Sequence, residues 1–135
     1  MLPLDPLPFR LPVPGLDRLD LQGARSVSWK LTGLLHHEGD RLVFEWAGTR
    51  TTEGLSLSGP VNRVEPVEPE AFEVPIEWVA EAWLVGGWWW PRFVVRGRRL
   101  DAFDGIPGAG PGRVALRIER RHRELARAMA AEINP

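Results

Sequence analysis

The chain of 135 residues contains no cysteine and no tyrosine, and only one lysine, Lys30. Without cysteine there are no disulfides, no thiol nucleophile, no cysteine-bound zinc and no iron–sulfur cluster, which fits a reducing compartment. No run of 18 apolar residues occurs, so no membrane-spanning helix is expected. The start, "MLPLDPLPFRLPVPG", lacks a basic segment followed by an unbroken apolar run. It reads as neither signal peptide nor anchor, and a cytoplasmic location is expected. G-x-S-x-G, H-E-x-x-H and D-x-D patterns are missing as well. A non-enzymatic protein with no cofactor and no resident metal is the expectation.

What is present describes an ordinary folding unit. Hydrophobic residues make up 44% and charged residues 26%, which suits one globular domain able to bury roughly two-thirds of its unfolded surface. The net charge of −1 hides an asymmetry. Met1 to Pro91 holds 7 basic and 13 acidic residues, whereas Arg92 to Pro135 holds 10 basic and 5 acidic ones. All ten of those basic residues are arginine, whose planar fork matches carboxylate and phosphate. The near-neutral total and a pI near 6.3 argue against general nucleic-acid binding.

Residues 1–25 read as a proline-rich N-terminal arm, ordered only if Leu2, Leu4, Leu7, Phe9 and Leu11 dock on the body. "SVSWKLTGLL" and "RLVFEW" alternate apolar and polar residues on either side of "HHEGD". That is the pattern of a hairpin with Gly39 in its turn. "VEPVEPEAFEVP" carries three prolines and reads as an acidic loop. "IEWVAEAWLV" and "WWWPRFVVRGRRLDAF" are apolar runs around Gly86-Gly87, and "DGIPGAGPG" is a loop without the lysine of a phosphate-binding one. "RVALRIE" alternates again. "RRHRELARAMAAEI" is an alanine-rich helix with Leu125, Met129 and Ile133 spaced by four. Six or seven short strands, then one helix, make a mainly β protein.

This order, with "VPIEWV", "WWWPRFVVRGRRL" and "RVALRIERRHRELARAM" in sequence, resembles the bacterial pleckstrin-homology-like (PH-like) domains. The resemblance implies a barrel of two orthogonal antiparallel sheets over residues 26–135, capped by the C-terminal helix. In many eukaryotic PH domains a basic loop between the first two strands grips inositol phosphates. Here that loop is "HHEGD", short and acidic, so that mode of binding is not implied.

Three features compete for function. On a strand, Trp88 and Trp90 share one face and Trp89 takes the other, with Pro91 marking an edge, bulge or strand start. "HHEGD" offers His36, His37, Glu38 and Asp40, but adjacent strand histidines diverge, so a polar turn outweighs a metal site. The arginines either converge as a cationic face or pair with Glu65, Glu68, Glu70, Glu73 and Glu77. Arg120 and Arg121 open the helix against its dipole, which calls for a nearby anionic partner. The surface expected to bind a partner is therefore Trp88, Trp89, Arg92, Arg96, Arg98 and Arg99. A protein partner or self-association is the leading reading, with anionic lipid as a further contact. The alternative is a small barrel that binds a lipid or other hydrophobe among Trp83, Trp88 and Trp90.

Overall fold

The computed structural model describes residues 4–11, 13, 16–20, 23–86 and 89–134. Among these, eight strands precede one α-helix: β1 (Leu7–Leu11), β2 (Leu16–Asp20), β3 (Gly23–Glu38), β4 (Arg41–Ser56), β5 (Gly59–Pro75), β6 (Val79–Val85), β7 (Arg92–Gly97), β8 (Arg113–Arg117) and α1 (Arg123–Ile133). The protein is mainly β, as the alternating patterns indicated. All pairings are antiparallel, and the strand order is β5-β4-β3-β1-β8-β7-β6, with β2 on the far part of β3.

The sheet does not close into a barrel; it is one open ladder whose edges are β5 and β6. Yet these edges are consecutive in the chain, joined by a single 3-10 turn, Ile76–Trp78. Six inter-strand steps span about 29 Å if flat, whereas the four Cα–Cα bonds from Pro75 to Val79 reach about 15 Å at most. The sheet must therefore curl. Chemistry at both edges keeps the ladder open. Pro60, Pro66, Pro69 and Pro75 remove donors from β5. On β6, the backbone N–H and C=O of Ala82 are both taken by the side chain of Asn134.

The proline-rich start is not peripheral. Leu7, Phe9 and Leu11 are buried, and β1 joins β3 to β8 in the middle of the ladder. Among the described residues, its only register pair with β8 is Arg10 with Arg117. Continuing that register places Pro8 beyond the end of β8, where a missing N–H costs no ladder bond. "VEPVEPEAFEVP" likewise differs from the expected loop, because it lies within β5, and an edge strand tolerates proline. β3 and β4 each run 16 residues. Their distal halves, with β2 and the first half of β5, form a ribbon beyond the buried core.

One sheet face carries the core: Leu31 and Leu35 from β3, Leu42, Phe44 and Trp46 from β4, Phe93 and Val95 from β7, and Val114 and Leu116 from β8. α1 adds Ala126, Met129, Ala130 and Ile133, close to the expected stripe, although residues 120–122 form a 3-10 turn before it. The β7–β8 loop closes the remaining side through Ala102, Phe103 and Ile106. Phe103 meets Phe44 edge to face, with ring centroids 6.0 Å apart.

Candidate interaction surface

β6 and β7 form a hairpin in which Val85 faces Arg92. Gly86 turns the chain with φ of 105°, a region that favours glycine. Pro91 is fully buried, and Phe93 and Val95 follow it into the core. Trp89 and Trp90 therefore have no interior left to fill. Trp89 and Trp90 are 73% and 68% exposed, both on bends before the strand begins. The expected alternation, with Trp90 opposite Trp89, does not hold, because β7 starts only at Arg92. Trp88 lies outside the described residues. Trp90 was missed as a surface residue, and the signal was Pro91, which marks the strand start.

The four arginines of this segment do not form one patch. Arg92 and Arg96 lie on the outer face, opposite the buried Phe93 and Val95. Arg98 and Arg99 follow the strand, roughly 20 Å from Arg92 at the usual rise per residue. Arg96 is 3.0 Å from Glu81. Arg99 binds Asp101 at 3.0 Å and lies 4.6 Å above the ring of Trp78. Among the described residues, the side chains of Arg92 and Arg98 have no hydrogen-bonding or acidic partner. Trp89, Trp90 and Arg92 gather at one end, Arg98 and Arg99 at the other.

The acidic residues of β5 serve their own neighbourhood. Glu73 meets Arg41 at 3.2 Å, and Glu65 meets Arg50 and Arg63. The hydrogen bond from Arg50, then its charge, holds the Glu65 carboxyl below the usual glutamate range, against a smaller opposing effect of desolvation. At the helix start, Arg121 finds Glu119 at 2.8 Å, the carboxylate that its position called for.

The histidines diverge as strand geometry requires. His36 meets Glu45 at 3.1 Å, and His37 meets Glu132 of α1 at 2.7 Å. No group of three or more acidic or histidine side chains placed to hold a metal occurs among the described residues. Gly39 takes the positive φ of 60° at the turn. Trp83 lies on the outer face with Arg113 5.7 Å from its ring, while Trp90 is exposed, so these two do not enclose a common interior space.

Compared with known proteins, the chain matches no family model, no curated protein and no solved structure. No described helix is long and apolar enough to cross a membrane.

Proposed function

We propose that this chain is a non-enzymatic interaction module, PH-like in element order, that docks a protein partner through the β6–β7 tip. The simplest partner is a second copy. One observation carries the reading: two adjacent indoles, Trp89 and Trp90, stand in solvent beside Arg92. Paired exposed tryptophans bordered by arginine have the composition of an interface centre. Each indole, once covered, contributes about 1.5–3 kcal/mol on the apolar-area scale. The acidic first two-thirds of the chain and its arginine-rich remainder favour contacts between copies.

Solution mass by light scattering across concentrations, for wild type and the Trp89→Ala/Trp90→Ala double variant, tests this. An oligomer that becomes a folded monomer in the variant supports docking through the tip. A wild-type monomer at all concentrations overturns self-association. Association that is unchanged in the variant removes the tip from the interface.

A further inference from the structure

A second feature of the outer face starts at Arg92 and runs away from the tip. The sheet register places Arg10 of β1 directly opposite Arg117 of β8, and Arg117 directly opposite Arg92 of β7. Three guanidinium-bearing residues thus stand in one row across two inter-strand steps, about 10 Å. Like charges directly opposite one another destabilise a sheet, so such a row is costly unless something anionic lies on it. Among the described residues, the one acid within reach of the row is Glu119, 3.7 Å from Arg10 but closer to Arg121, at 2.8 Å. Arg92 and Arg117 have no acidic partner among the described residues.

The row opens into a cleft. The last described β1 pair on this edge of β3 is Leu11–Leu31, and the first described β2 pair is Leu16–Val27. The three β3 residues between, Ser28 to Lys30, have no register partner on that side among the described residues. Beside them is a cleft of about 630 Å³ whose lining includes Arg10, Arg117, Lys30, Thr32, Leu11 and Trp29. Lys30, the single lysine of the chain, has no acidic partner among the described residues either. A hydroxyl-bearing, an ammonium-bearing and two guanidinium-bearing residues thus line one cleft beside Leu11 and Trp29, and no acidic residue is among its described lining, a set rich in donors for an anion.

We infer that this notch is a binding site for a multiply charged phosphate-bearing anion, gripped by Arg10, Arg117 and Lys30, with Arg92 extending the row. Guanidinium forks meet phosphate oxygens in pairs, and the lysine adds a mobile point charge. The inference does not depend on the docking of Trp89 and Trp90.

Inorganic triphosphate is the probe. Isothermal titration and thermal unfolding are measured on wild type, on Arg117→Gln and Lys30→Gln, and on Arg63→Gln, which removes a cation from the distant ribbon, as a control. Expected are saturable binding at one site, a thermal upshift in wild type, and about tenfold weaker binding for each lost cation. Without triphosphate, Arg117→Gln should be at least as stable as wild type, because one opposed charge is gone. That separates loss of binding from loss of fold. Phosphatidylcholine vesicles with and without phosphatidylserine form a second arm. Binding to triphosphate identifies a free phosphorylated molecule. Binding only to the anionic vesicles, lost in the same variants, identifies a headgroup. Binding to neither, or equal binding by wild type and both variants, overturns the site.

Discussion

Asn134 closes the sheet edge at Ala82: its side-chain amide donates to the Ala82 carbonyl at 2.8 Å and accepts from the Ala82 N–H at 2.7 Å. A single side chain beyond the C-terminus of α1 thus does what a neighbouring strand would do. Edge strands with free backbone groups pair with other chains. β6 carries neither proline nor lysine to discourage that.

Asn134→Ala should therefore destabilise the fold by about 1–3 kcal/mol, since two part-buried backbone groups lose their partner. Asn134→Asp should do no better, because its second oxygen would face the Ala82 carbonyl. Urea unfolding measures the loss, and hydrogen exchange at the Ala82 amide should quicken in both variants. An unchanged exchange rate would show that the amide pairing is not what protects the edge.

The start of the chain should behave as core. Leu7 is wholly buried, and Leu7→Ala is expected to cost about 2–5 kcal/mol. Gly33 is opposite Phe9 in the β1–β3 ladder, and a Cβ there would fall 2.7 Å from the Phe9 ring and 1.9 Å from the Glu45 carbonyl oxygen. Gly33→Ala should disturb that pairing while leaving the β6–β7 hairpin folded, as amide chemical shifts would report. If Leu7→Ala costs under about 0.5 kcal/mol, as an exposed position would, β1 is dispensable.

The glycine-rich β7–β8 loop should be rigid. Ala102, Phe103 and Ile106 are buried, and the ring of Phe72 lies 2.4 Å from where a Gly105 Cβ would be. Phe103→Ala is expected to cost about 3–5 kcal/mol and to open residues 104–112 to proteases. Limited proteolysis of wild type should spare this loop. Rapid cleavage of the wild-type loop would contradict the anchoring.

Glu65 should titrate below a free glutamate, and Arg50→Gln should raise its midpoint. The sign follows from the depressed folded value. The pair's contribution is fully present above the unfolded glutamate pKa and is lost as pH falls through the lower folded one. Because the pair is solvent-screened, side-chain carboxyl shifts measured by NMR, rather than unfolding curves, are the readout. Identical midpoints in wild type and Arg50→Gln would remove Arg50 as the cause.

Much of the local structure was legible in the chain. Period-2 alternation revealed β3, the first half of β4, and β8, and Leu125, Met129 and Ile133 marked the helix. Gly39 marked the turn, and Pro91 already carried the information that exposes Trp90. The prolines misled, because their local rule forbids a ladder bond without saying which side of the strand needs one. In β5 that side faces solvent, and at Pro8 it faces the space past the end of β8.

What the sequence determined by itself is therefore the β character, the terminal helix and the absence of cysteine chemistry, all consequences of composition and short-range period. Only the tertiary structure decided that β1 sits mid-sheet, that the ladder stays open at Ala82, and that Arg10, Arg117 and Arg92 share one row. These depend on register between strands as much as 107 residues apart. Register is set by which apolar faces pack together, and no short stretch of sequence contains both members of such a pair.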